Sequence, residues 1–116
     1  MIVFVYGTLK QGGCRHHHLG KAESLGPGRT RPEFRLYDCG EYPAMVRAPS
    51  GVSILGELWR VDPSRLPILD DQEGVDVGLY ERVTIPIRTE ADEEVSAIAY
   101  LYCRSIAGLA DLGDRW

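Results

Sequence analysis

The sequence predicts an α+β domain built as a small mixed barrel or a curled sheet. Two observations predict it. Several strand-length runs rich in β-branched and aromatic residues are separated by hairpin-like turns, and one segment, Ser64 to Glu73, carries helix signals at both ends. The 116 residues suit one domain, 1–116, with room for one core and one modest pocket.

Ile2 to Val5 is a continuous apolar run and reads as a strand buried on both faces. Gly12-Gly13 breaks the chain, and Leu19, Ala22 and Leu25 recur at spacings of three, which predicts a short helical turn within Cys14 to Leu25. Gly26-Pro27-Gly28 reads as a turn. Phe34 to Tyr37 and Ala44 to Val46 read as strands on either side of a loop, Asp38 to Pro43. Val52 to Val61 reads as a long strand, with Gly56 marking a bulge or a close approach of another backbone. In the helix, Ser64 as N-cap would put Pro67 in the first turn, where amide protons have no intrahelical partner. Leu66, Leu69 and Ile68 would supply its buried face, and Gly74 its C-terminal cap. Val83, Ile85 and Ile87 alternate with polar residues and Pro86, the pattern of a half-exposed strand at an edge or bulge. From Val95 to Tyr102 neither alternate set is polar throughout, so both faces of that strand should be covered. The tail from Arg104 to Trp116 shows no clear pattern.

A net charge of −4 and an isoelectric point near 5.3 argue against nucleic acid as the main partner, because the electrostatic term would be repulsive. The apolar run at the N-terminus is too short for a membrane span or a signal-peptide core. Three cysteines, Cys14, Cys39 and Cys103, without a CxxC spacing, predict reduced thiols and a cytoplasmic protein.

Two stretches invite chemistry. In "VYGTLKQGG", Gly7 and Gly12 have the spacing of a phosphate-binding loop, but Gly13-Cys14 stands where such a loop needs Lys and a hydroxyl. What remains is either a plain turn after a strand or a nest of backbone amides suited to a carboxylate. In "LDDQEGVDVGLYER", Asp70, Asp71 and Glu73 crowd the end of the helix, where the dipole disfavours negative charge. Dipole, neighbouring acids and burial would all raise a carboxyl pKa toward that of a general acid or base. Asp70 and Glu73, three apart, should share a face, with Asp71 pointing elsewhere. The alternative is a solvated acidic helix end. His16, His17 and His18 are consecutive and so point in different directions, which argues against one tetrahedral metal site. A Cys14 nucleophile paired with His16 or His18 would need a depressed pKa, for which the sequence offers no cause.

Taken together, "VYGTLKQGG", "GEYPAMV", "GELWRV", "LDDQEGVDVGLYERV" and "AIAYLY", in that order, resemble the γ-glutamylcyclotransferase-like family, including its γ-glutamylamine cyclotransferase and avirulence-induced relatives. The resemblance implies a compact mixed β-barrel flanked by short helices. It also implies release of 5-oxoproline from a γ-glutamyl amine or amino acid, by attack of the substrate's own α-amine. Glu73 would be the general acid/base. Tyr6, Gly7, Thr8 and Leu9 would form the substrate-holding loop, and Tyr80 would line the pocket. No metal or cofactor is implied. "LDDQEGVDVGLY" is nearest the branch acting on γ-glutamyl amino acids, whereas "YGTLK" is nearest the γ-glutamylamine branch. A non-catalytic module binding a small carboxylate on the same fold is the alternative, since fold alone does not carry chemistry.

Overall fold

Eight strands, one α-helix and two short 3-10 turns follow one another along residues 1–116, all of which the computed structural model describes. The strands are β1 (Ile2–Val5), β2 (Glu23–Thr30), β3 (Phe34–Asp38), β4 (Pro43–Arg47), β5 (Leu55–Arg60), β6 (Tyr80–Thr89), β7 (Glu94–Tyr102) and β8 (Asp111–Gly113), with helix α1 (Leu66–Gln72) between β5 and β6. Five strands close a barrel in the order β1-β5-β2-β6-β7, and β1 meets β7 in parallel at Val3 and Ile98. The other three form a small sheet, β4-β3-β8. The predicted α+β barrel with short helices is the architecture found.

The apolar runs are continuous because two cores lie on opposite faces of the same strands. On β1, Phe4 packs with Leu58, Ile85, Ile87, Ala97 and Ala99, and with Phe34, Leu36 and Met45 of the small sheet. Its neighbours Val3 and Val5 pack with Leu9, Leu19, Trp59, Leu69 and Tyr100. β7 divides the same way: Ala97, Ala99 and Leu101 serve the first core, Ile98, Tyr100 and Tyr102 the second. The second core lets α1 and the loop after β1 sit against the barrel, and it therefore positions the site.

Several local expectations are corrected. Residues 26–28 are not a turn but the middle of β2. A Cβ at Gly28 would lie 2.7 Å from Ile87 Cγ2 and 3.1 Å from Leu58. That glycine is there because the core already fills the space, and Gly26, with φ 89°, takes up a register shift opposite β5. The helical turn shrinks to a 3-10 turn over His16–Leu19, and Leu25 belongs to β2. The N-terminal cap before the helix is Asp62 rather than Ser64: its Oδ1 accepts from the Ser64 amide at 2.9 Å and opens a 3-10 turn, Pro63–Arg65, that runs into α1. Of the expected helix face, Leu69 is fully buried while Ile68 is exposed. The strand read over Val52 to Val61 is confined to Leu55–Arg60, with Val52 bridging to Phe34. The tail, unpatterned in sequence, adds β8 to the edge of β3.

Other expectations hold. A Cβ at Gly56 would lie 2.5 Å from the Val5 carbonyl, so Gly56 is a point of close backbone approach. β2 pairs with β6 only from Ile87 to Thr89, so at Pro86 the strand has a single hydrogen-bonded neighbour, β7, and the missing amide proton is tolerated. No helix is long and apolar enough to cross a membrane.

Candidate active site

The loop that follows β1 is folded by its own backbone. The Lys10 amide donates to the Gly7 carbonyl at 3.0 Å, the Gly13 amide to Lys10 at 2.8 Å, and the Arg15 amide to Thr8 at 2.9 Å. Side chains from elsewhere pin it. Glu57 Oε1 accepts from the Gln11 amide at 2.8 Å and from Trp59 Nε1 at 3.1 Å. His16 sets its Nδ1 2.8 Å from the Leu9 carbonyl and its ring edge-on to Trp59. The amides of Gly7, Thr8 and Leu9, by contrast, donate to no protein acceptor. Gly7, Thr8 and Leu9 line a cavity of about 140 Å³. Gly7 is required there, because a Cβ would lie 2.8 Å from the Pro43 ring.

Across the cavity stands the end of α1. Glu73 is its C-cap, and Gly74, with φ 64°, turns the chain away. The Gly74 amide donates to the Asp71 carbonyl and the Val75 amide to Asp70, at 3.1 and 3.0 Å, the two bonds of a Schellman closure. At this turn Glu73 lines the cavity. Burial pushes its carboxyl up to about 7, and the Arg15 guanidinium partly opposes that rise. The neighbouring acids expected to help do not: Asp70 faces away. Its Oδ1 accepts from the Tyr100 hydroxyl at 2.8 Å and its Oδ2 from Arg82 Nη1 at 2.6 Å. Asp71 lies at the exposed rim of the cavity, so the expected division between the two aspartates is reversed.

Tyrosines complete the walls. The Tyr6 hydroxyl donates to the Tyr100 carbonyl and that of Tyr80 to the Pro43 carbonyl, each at 2.6 Å. Burial, then the nearby Glu73 carboxylate, raise the Tyr6 pKa; burial, then Tyr6 and Glu73, raise that of Tyr80, so both hydroxyls stay protonated. Tyr6, Gly7, Thr8, Leu9, Glu73 and Tyr80, six residues from three separate parts of the chain, thus line one pocket. Cys14 is exposed and lies outside it. No group of three or more His, Cys, Asp or Glu side chains is placed to hold a metal ion.

The family described as "Gamma-glutamyl cyclotransferase, AIG2-like" matches residues 3–116. The chain belongs to that family. It is similar to gamma-glutamylaminecyclotransferase A of Danio rerio, 32% identical over 111 residues that cover 89% of this chain and 68% of the relative. It is 36% identical to the Homo sapiens gamma-glutamylaminecyclotransferase over 104 residues, 83% of this chain and 67% of that one. Among solved structures, an AIG2-like protein of Mus musculus superposes with a TM-score of 0.84 at 29% identity, covering 99% of this chain and 86% of the mouse protein.

In this member of the cyclotransferase family, two further residues bear on the pocket and were not singled out from sequence. Tyr100 also lines it and links Tyr6 to Asp70. Arg15 lines its rim, with Nη1 donating to the Gln72 carbonyl at 3.1 Å. One signal pointed toward such a cation. Helix α1 carries no basic residue in its last turn, so its C-terminal carbonyls needed a partner from elsewhere.

Proposed function

We propose that this protein is a γ-glutamyl cyclotransferase that releases 5-oxoproline, with Glu73 as general acid/base. One observation carries the reading: a carboxyl whose pKa lies near neutrality lines the same small cavity as Gly7, Thr8 and Leu9, whose backbone amides have no protein acceptor. The enzyme names of its relatives support the same class of reaction.

The amides of Gly7, Thr8 and Leu9 hold the γ-glutamyl moiety by its oxygens. Ionised Glu73 takes a proton from the substrate's α-ammonium. The freed amine attacks the γ-carbonyl carbon, forming the new C–N bond and a tetrahedral oxyanion. As that intermediate collapses, Glu73 returns the proton to the leaving nitrogen, the bond to it breaks, and the ring nitrogen gives its second proton to the departing amine, which leaves protonated. One γ-glutamyl compound becomes 5-oxoproline and one free amine, with no change in oxidation state. The nucleophile and electrophile already share one molecule, so the protein's main tasks are to select the conformer and to move a proton. A carboxyl near pKa 7 suits both halves of that transfer, because neither protonation state is costly to reach at neutral pH. Tyr6 and Tyr80, whose own protons are committed to carbonyls, offer lone pairs that accept from the substrate's ammonium.

The test is 5-oxoproline release from γ-glutamyl amino acids and γ-glutamyl amines by the wild-type protein and by Glu73→Gln. Release that falls by about a thousandfold or more in the variant, with the fold retained, is expected when the proton-transfer group is removed. Full turnover by Glu73→Gln overturns the role of Glu73. Ligand binding without release in the wild type favours the non-catalytic carboxylate-binding module.

A further inference from the structure

Arg15 differs from the other charged groups at this pocket. Asp71 and Glu73 are the acids lining it, and Arg15 is the one cation. Its guanidinium makes a single protein hydrogen bond, to the Gln72 carbonyl, and no carboxylate lies within ion-pairing distance. Most of its five donors are therefore unspent. That one bond has a geometric consequence: it holds the fork beside the residue that precedes Glu73, at the half-buried edge of the cavity.

We infer that Arg15 binds a carboxylate on the leaving group, so that the preferred substrates are γ-glutamyl α-amino acids rather than γ-glutamyl amines. The inference rests on the cyclotransferase reading above. The leaving nitrogen must come within reach of Glu73 to take its proton. In an α-amino acid the carboxylate is attached one carbon from that nitrogen. A guanidinium tied beside Glu73 is therefore near the place that carboxylate must occupy. The glutamyl end already has the amides of Gly7, Thr8 and Leu9 to receive its oxygens. A planar fork with free N–H groups is the donor best shaped for a carboxylate, and a bidentate pair gives direction as well as attraction. A simple amine leaving group offers that fork no acceptor. It would leave a partly desolvated cation unpaired, and specificity built on a polar partner penalises the substrate lacking it.

The discriminating pair is γ-glutamyl-alanine against γ-glutamyl-ethylamine, which differ only by the leaving group's carboxylate. For the wild type, kcat/KM is expected to favour γ-glutamyl-alanine by about tenfold or more, the scale of one charge-assisted contact at a half-exposed site. In Arg15→Gln the ratio should fall to near one, and Arg15→Lys should retain part of it. Arg15 also tunes Glu73, but any change there acts on both substrates within one variant and cancels from the ratio. Equal losses for both substrates, leaving the ratio intact, would mean that Arg15 serves the glutamyl end or the helix terminus, and would overturn the inference while the cyclotransferase reading stands. Absence of 5-oxoproline from both compounds would overturn that reading instead. Calorimetric affinities of the same two compounds for wild type and Arg15→Gln then decide the inference, and equal affinities in the wild type would sink it.

Discussion

The Tyr100 hydroxyl donates to Asp70 Oδ1 at 2.8 Å, which ties the helix carrying Glu73 to the strand whose backbone receives the Tyr6 hydroxyl. Tyr100 is buried, and its bond to an ionised acceptor is of the stronger kind. Tyr100→Phe keeps the ring packing and leaves Asp70 its Arg82 partner. The expected cost is about 1–2 kcal/mol of stability, measured by denaturant unfolding, with a reduced kcat as the helix end loosens. An unchanged midpoint and unchanged kcat would show that the link does not position Glu73.

The pH dependence of turnover follows from Glu73. In the proposed reaction its first task requires the carboxylate, and burial raises its pKa to about 7. kcat/KM should therefore rise with pH through about 7 on the acid limb, rather than through the ordinary carboxylate range near 4.5. Arg15 lowers that pKa, so in Arg15→Gln the limb moves to higher pH. A profile already flat above pH 5 would contradict the assignment.

Stability should carry the same signature with the opposite sense. Glu73 binds its proton more tightly folded than unfolded, so between about 4.5 and 7 the folded chain holds more protons than the unfolded one. Stability then falls as pH rises through that window. Glu73→Gln removes the penalty of burying the ionised group. The variant should be more stable than wild type at pH 8, by up to a few kcal/mol, and the advantage should vanish below about pH 4.5. Thermal unfolding of both proteins across pH 4 to 8 reads this directly.

What the sequence revealed, and what it hid, divides along a physical line. β7 declared its two covered faces because neither alternate set is polar throughout, and Gly56 declared a close approach that the Val5 carbonyl makes. Gly28 misled because a glycine can mark either a turn or an occupied core. The occupants, Leu58 and Ile87, lie thirty and more residues away. The end of α1 was legible from Gly74, but the chain alone cannot distinguish Asp70, Asp71 and Glu73. Only the Schellman turn and the partners Tyr100 and Arg82 decide which acid is buried and which is neutralised. Arg15 was hidden for the same reason: its position depends on a loop returning to a helix that begins fifty residues later.

Gly7 offers a test of the loop that does not touch Glu73. Its φ needs no glycine, but a Cβ would stand 2.8 Å from Pro43 Cγ and Cδ. Pro43 cannot retreat easily, because it is buried in β4 and its carbonyl receives the Tyr80 hydroxyl. In Gly7→Ala the loop must therefore move, carrying the amides of Gly7, Thr8 and Leu9 out of register with the pocket. The expected loss of stability is modest, about 1–3 kcal/mol for a forced methyl in a packed site. The loss in kcat/KM should be larger, about a hundredfold, because a displacement on the order of 1 Å suffices to spoil a reacting geometry. The carboxyl should be unaffected, so the acid limb of the pH profile stays near 7 while the plateau drops. A plateau equal to wild type in a folded Gly7→Ala protein would remove the loop amides from the catalytic geometry and leave Glu73 to act with other donors.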